Sequence, residues 1–363
     1  MDPFSQAALG AVVGQAVGHR RLGYRAAAVG ALAGALPDID VLFSVGGDYF
    51  DQLVLHRGIT HSLIFAPLVG PALAALIWRA EVRRASPAAS AVRSGSAPAA
   101  VGGRPRLYAW MAVVTLALLS HPLLDYLTPY GTQLLLPFSN TRFAINAMPI
   151  IDPVYTLLLA AGLLLAGRWL RTRATEVAMA TLIVSSAYLG YGAYLNSAAE
   201  REAARQLAAE GITDASVAAF PTLLQVHYRR VVARLPDEDR VGFLSMWQPC
   251  DIRWQSRPRR EPPALDAFLA TREGRIFDWF TMGWGRYRLE RLAEGLLLHA
   301  TDLRYGFNED PDQSLFAASA WVGSGTALEG PVRAGRQVPE QGMGRLATLF
   351  EDTYAPLCRL THG

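Results

Sequence analysis

Four short segments carry residue types that could hold a metal ion. They are Pro37-Asp38-Ile39-Asp40, His56-Arg57-Gly58-Ile59-Thr60-His61-Ser62, Ser120-His121-Pro122-Leu123-Leu124-Asp125 and Asp152-Pro153. His121 and Asp125 are four apart, so they share one face of a helix, where both side chains reach a common ion. Asp38 and Asp40 flank one residue on a chain leaving a helix, and His56 and His61 stand at a loop-to-helix entry. Mixed imidazole and carboxylate donors suit Zn first, then Mn or Fe, better than Ca or Mg. A divalent ion held there would lower the pKa of bound water and polarise a scissile group. The candidate ligands Asp38, Asp40, His56, His61, His121, Asp125 and Asp152 exceed what one tetrahedral ion needs. Either two ions bind, or some of these residues serve as base and outer support. A carboxylate off the metal, Asp40 first, is the candidate general base. Arg57 and Arg142 are the arginines suited to bidentate recognition of a phosphate or carboxylate oxyanion. Thr60 and Ser62 would orient a ligand or cap the following helix.

Each residue also has a plainer reading. Asp38 or Asp40 alone is a helix-terminating or capping residue, and Asp152 before Pro153 is a usual helix start. His56 alone is an interfacial histidine, and Arg57 a side chain snorkelling to headgroup level. The pair His121 and Asp125 inside an apolar helix is harder to explain this way. Ionisable groups at membrane depth are costly and mark function unless they are paired.

The elements that must position these residues are hydrophobic helices. Apolar residues make up 51% of the 363 and charged residues 18%, below the roughly 25% charged of an ordinary globular domain. The deficit falls in residues 63–78, 107–127, 151–167 and 177–195, each close to the roughly 20 helical residues that cross a hydrocarbon core. Gly10, Gly14 and Gly18 in one short helix, and Gly30 and Gly34 in the next, allow close backbone approach inside a membrane. Six helices are expected, over 4–18, 26–36, 62–78, 108–127, 152–167 and 176–195.

Arginine sets the orientation. Connections on one side hold Arg20, Arg21, Arg25, Arg79, Arg83, Arg84, Arg93, Arg104, Arg106, Arg168, Arg171 and Arg173, whereas the other side holds Arg57 and Arg142. The arginine-rich face is therefore expected to be cytoplasmic. All four chemistry-bearing segments then fall at the opposite face. The arginine count makes no use of them, so their convergence is independent support.

Charge returns after residue 198, which divides a membrane-embedded helical domain (1–198) from a small water-soluble α+β domain (199–363), expected to be periplasmic. A charged helix over 199–210 leads into β-like runs at 223–235, 241–247, 295–306 and 315–322, with a helix over 264–283 between them. The fold class is thus mainly α, a polytopic transmembrane bundle followed by a small α+β domain. The Ala/Ser/Pro/Gly/Arg-rich stretch 80–106 reads as a disordered linker. Cys250 and Cys358 would pair in an oxidising compartment. A net charge of +3 is too small to argue for a nucleic-acid partner.

The motifs PDID, HRGITHS and SHPLLD, followed by TPYGTQLLLPFS and IDP, resemble the YdjM-type family of inner-membrane metal-dependent hydrolases. The resemblance covers about residues 1–200 and, more weakly, the DLRYG stretch (302–306). It implies a multi-pass protein of the bacterial inner membrane with hydrolase activity. Some members of that family begin with Thr-His where this chain reads Ser5-Gln6, so Gln6 would stand where a histidine ligand is expected. The ligand pattern is also similar to that of the zinc-dependent phospholipase C group.

The expected function is a membrane-bound, metal-dependent hydrolase acting at the outer membrane face on a phosphoester or ester of a lipid or lipid-linked substrate. A metal or ion transporter would instead place its site near the midplane. A structural protein would staple its helices with a closed, four-ligand site.

Overall fold

The computed structural model describes residues 1–85, 103–248, 250–323, 325–335, 349 and 351–354. The chain forms two units. Met1–Phe43, Leu55–Ala144 and Ile150–Gly190 make the first; Ser44–Val54, Ile145–Pro149 and Tyr191–Gly363 make the second.

The first unit begins with α1 (Pro3–Leu22) and α2 (Arg25–Ala35). Asp2 caps α1 by accepting from the backbone N–H groups of Phe4 and Ser5. Gly23, at φ 62°, makes the turn between the two helices. They then run in backbone contact: a Cβ added to Gly30 would lie 2.2 Å from the Gly10 carbonyl oxygen. One added to Gly14 would lie 2.2 Å from the Ala26 oxygen. In hydrocarbon, where lipid tails are as apolar as leucine, such close packing is what holds helices together. A 3-10 segment (Leu36–Ser44) follows α2, and α4 (Phe65–Arg84) and α5 (Arg104–Tyr126) pack beside the pair. Trp110, Val113, Val114, Ala117 and Leu118 of α5 form the centre of their shared core. At the arginine-bearing ends, Glu81 receives Arg106 Nε at 2.9 Å, Trp110 Nε1 at 2.8 Å and Arg25 at 3.3 Å. The first two arginine-bearing connections thus meet at one end of the helices.

After the 127–152 loop come α6 (Pro153–Leu164), its π-helical extension (Leu165–Trp169) and α7 (Ala174–Ala209). The helices expected at 176–195 and 199–210 are one continuous 36-residue helix. No Pro interrupts it, and the Ala/Glu/Arg-rich stretch after Asn196 favours its continuation. Among the described residues, four helical stretches are long and apolar enough to span a membrane: Arg25–Ser44, Phe65–Arg84, Arg104–Tyr126 and Arg171–Ala209. Pro153–Trp169 is a shorter apolar helix. Residues 80–85 and 104–106, expected in a linker, lie in or beside α4 and α5; residues 86–102 are outside the described residues.

The second unit holds two antiparallel four-stranded sheets in sequential order. One comprises β1 (Ser216–Pro221), β2 (Tyr228–Arg234), β3 (Glu238–Ser245) and β4 (Gln255–Pro258). The other comprises β5 (Gly285–Leu292), β6 (Gly295–Asp302), β7 (Ala317–Val322) and β8 (Leu328–Gly335). Ala219, Val231 and Leu244 pack on Ala199 and Ala203 of α7. The expected helix at 264–283 is two, α8 (Leu265–Ala270) and α9 (Arg272–Thr281). Thr271 separates them and caps the second through a bond from Gly274 N at 2.9 Å. A short α3 (Tyr49–Leu55) was not expected from the sequence; Asp48 beside it pairs with Arg272 at 3.1 Å. Cys250 is disulfide-bonded, and Cys358 lies outside the described residues.

The helix pair makes a direct prediction. Gly30→Val should cost about 1–3 kcal/mol through overpacking and lower the unfolding midpoint followed by circular dichroism in detergent. Gly167→Ala, with nothing within 4 Å of its added Cβ, should unfold like the wild type. Equal midpoints for the two variants would rule out the backbone contact.

Candidate metal centre

The polar residues of the first unit gather where three apolar segments end. The 3-10 segment after α2 supplies Asp38 and Asp40, the turn before α4 supplies His56 to His61, and the last turns of α5 supply His121 and Asp125. His61, His121 and Asp125 are fully buried, Asp40 is 1% exposed, and the Asp38 side chain is 19% exposed.

Four donor atoms face one point. His61 Nε2 lies 2.9 Å from His121 Nε2, 3.6 Å from Asp38 Oδ1 and 3.3 Å from Asp125 Oδ2. His121 Nε2 lies 3.3 Å from Asp38 Oδ1 and 3.7 Å from Asp125 Oδ2. Donors bound tetrahedrally at about 2.0–2.2 Å would stand about 3.3–3.6 Å apart, so the donor set fits a small divalent ion. Asp125 Oδ2 is the buried anionic member of this set, ion-paired with Arg57 Nε at 2.9 Å. These four residues could hold a metal ion.

The imidazoles are turned for this by their other nitrogens. His121 Nδ1 donates to the Gly34 carbonyl at 2.6 Å. His61 Nδ1 lies 3.1 Å from Asp40 Oδ2. A bond that fixes Nδ1 leaves Nε2 as the ligating atom, the usual outer support of a metal-bound histidine. Burial alone would lower the pKa of His61, but hydrogen bonds with Asp125, Asp38 and Asp40 push it up to about 10. The carboxylates thus make the centre strongly attractive to positive charge.

Asp40 is a hub. It also accepts Arg57 N at 2.8 Å and Thr60 Oγ1 at 3.2 Å, and faces His56 Nδ1 at 3.0 Å. His56, 27% exposed, sits at the rim with its ring edge on Tyr130. Asp38, Asp40 and His56 form a second, shallower group of potential ligands. Arg57 adopts φ 59°, which brings its N–H to Asp40 while its guanidinium turns inward. There Nε lies 2.9 Å from Asp125 Oδ2, and Nη1 donates to Thr128 Oγ1 at 2.7 Å. The N-terminal ammonium of Met1 also pairs with Asp125.

Two predicted site residues stand elsewhere. Asp152 belongs to neither ligand group; it caps α6 through Tyr155 N at 2.9 Å and accepts Tyr188 Oη at 3.0 Å. Arg142 donates to the carbonyls of Tyr130 and Gly131 at 2.8 and 2.9 Å and lies over the Tyr130 ring. It therefore shapes the loop wall, and both Arg142 and Arg57 are buried. Gln6, in the position read as a substituted ligand, donates through Nε2 to Asp125 Oδ1 at 3.0 Å. Sequence reasoning missed Thr128, Tyr130 and the Gly34 carbonyl, whose roles arise from loop and backbone geometry.

Residues 1–199 match the YdjM inner membrane protein family, as the motifs had suggested. Inner membrane protein YbcI of Escherichia coli (strain K12) is 33% identical over 141 residues, covering 38% of this chain and 69% of that protein. No solved structure matches the chain.

The supporting role of Asp40 and the capping role of Asp152 separate in one pair of variants. Asp40→Asn should weaken metal binding about 10–100-fold in a competition assay with a chelating dye. Asp152→Ala should leave affinity unchanged and cost about 0.5–2 kcal/mol of stability through the lost cap. Comparable metal loss in both would return Asp152 to the ligand set.

Proposed function

As the chain belongs to the YdjM inner membrane protein family, we propose that it is a multi-pass inner-membrane hydrolase that uses a metal at this centre. The observation that carries the reading is the convergence of His61 Nε2, His121 Nε2, Asp38 Oδ1 and Asp125 Oδ2, with both histidine Nδ1 atoms already engaged. Zinc suits a small, tetrahedrally spaced nitrogen and oxygen set best. The chemistry such an ion supplies when bound is polarisation of the scissile group and activation of water near neutral pH.

The chain's own residues divide the remaining work. Asp38, His61, His121 and Asp125 hold the ion. Asp40 is enclosed by four partners, so we assign it to positioning His61 and His56 rather than to the base role expected from sequence. His56 is the group at the rim with its Nδ1 on a carboxylate, which suits it to hold or move a proton at Nε2. Arg57 and Arg142 are committed to Asp125, Thr128 and loop carbonyls, so they act by fixing the wall of the site.

A lipid or lipid-linked ester is the substrate class we favour. The segment that turns Asp38 and Asp40 inward leaves Ile39, Val41, Leu42 and Phe43 exposed, and Ile59 is exposed between the histidines. Carboxylates thus alternate with side chains that prefer acyl chains to water. The donors lie at helix ends, which favours surface chemistry over transport through the midplane. One observation favours a helix-stapling ion instead: all four donors come from protein, and three are fully buried.

Elemental mass spectrometry of purified protein should find near-stoichiometric zinc, manganese or iron, lost in His121→Ala and Asp125→Ala. Metal-loaded protein incubated with phospholipids and polyprenyl phosphates should release a product that the chelated protein does not. Metal present without turnover, together with a large drop in thermal stability on chelation, would sink the hydrolase reading in favour of the staple.

The arginine distribution supports a periplasmic C-terminal unit. Alkaline phosphatase fused to the C-terminus should then be active in cells, and a green fluorescent protein fused there dark. The reverse pattern would invert the orientation.

A further inference from the structure

Helix α7 carries its own depth scale. From Val177 to Leu195 it has no charged residue, whereas Arg171 and Arg173 precede that run and Asn196, Glu200 and Arg201 follow it. Nineteen helical residues rise about 28 Å, close to the roughly 30 Å of a hydrocarbon core. Tyr191 and Tyr194, both exposed, therefore occupy the last turns before the water boundary.

Side chains distant in sequence meet at this level. His227 Nε2 lies 3.1 Å from Tyr191 Oη, and His227 Nδ1 lies 3.1 Å from Tyr354 Oη. The Trp247 ring packs edgewise on His227 and Tyr354, with centroids 5.6 and 5.5 Å away. Trp247 and Tyr354 are exposed although they touch their neighbours. Below the cluster, the buried Arg229 of β2 binds the helix backbone, donating to Gly192 O at 2.8 Å and to Asn196 Oδ1 at 3.1 Å. That clamp fixes the first sheet to α7 at the height where the apolar run ends.

We infer that Tyr191, Trp247 and Tyr354, joined through His227, form with the exposed Tyr194 one turn on along α7 a surface by which the sheet unit rests in the headgroup layer of the bilayer. Trp and Tyr favour this layer because it accepts an apolar ring and a polar tip together. The occupant is the membrane rather than a protein, because the helix that bears Tyr191 and Tyr194 enters hydrocarbon directly beside them. The inference does not depend on any catalytic reading of the metal centre.

The test uses the full chain in vesicles of phosphatidylethanolamine and phosphatidylglycerol, with nitroxide labels at Gln248→Cys, Tyr194→Cys and Ala208→Cys. Gln248 is exposed next to Trp247, and Ala208 stands about 21 Å beyond Tyr194 along α7. An unsubstituted chain carried through the same labelling supplies the background. The ratio of oxygen to nickel-chelate collision rates at 248 should match that at 194 and exceed that at 208 several-fold. Adding Trp247→Ser should lower the ratio at 248 and leave that at 194 unchanged. A ratio at 248 equal to the one at 208 would overturn the inference and leave the aromatic surface to water or to a protein partner.

Discussion

A carboxylate shut away from water must be compensated nearby, and the ends of the first unit's helices are organised around that need. Asp125 is fully buried in the last turn of α5. Gln6 and the Met1 ammonium reach its Oδ1, and Arg57 and His61 its Oδ2. Breaking such an arrangement by removing one partner is far more costly than forming it is favourable. The same demand explains the left-handed backbone at Arg57, where strain is tolerated because one residue must serve Asp40 through its N–H and Asp125 through its guanidinium.

Helix packing is coupled to this chemistry through α1 and α2. The Gly34 carbonyl reaches His121 because α2 lies close to α5, and Gln6 reaches Asp125 from the start of α1. A Cβ at Gly34 would lie 2.7 Å from the Gln6 carbonyl, so the glycine contact sets the separation of the two elements that support the ligands. Small residues at four-residue spacing thus do more than pack helices: they fix where His121 and Asp125 point.

Much of this was legible in the sequence because the constraints were strong and local. A long charge-free run favours a span, an i, i+4 pair shares a helix face, and arginine bias orders the connections. His61, His121, Asp38 and Asp125 could therefore be brought together from text alone, and the two-part architecture with them. The roles within the cluster were less legible, since Asp40 and Asp38 are indistinguishable by type and spacing. Only geometry shows that Asp40 has its oxygens surrounded while Asp38 faces the convergence point. Asp152 is ambiguous for a related reason, because a capping aspartate and a ligand aspartate both precede an apolar helix, and in the structure it caps α6. In the second unit β1, β4, β5 and β8 escaped notice: runs such as GRYRLERL carry arginines on a partly exposed face and break the alternation that reveals a strand.

The exposure of Asp38 bears on whether the centre can do chemistry at all. A site with four protein donors sealed from solvent is a structural site, whereas catalysis needs a position that an outside molecule can reach. Three donors here are sealed by helix packing. The fourth sits on the 3-10 segment, is partly exposed, and belongs also to the shallow group with Asp40 and His56. A carboxylate on that irregular, partly exposed segment is the donor best placed to yield a coordination position. His56, partly exposed, belongs to that shallow group, and Ile39, Val41, Leu42 and Phe43 of the segment that carries Asp38 are exposed. Under the hydrolase reading, substrate access and ligand lability would coincide on one segment, an arrangement that a helix staple would not need.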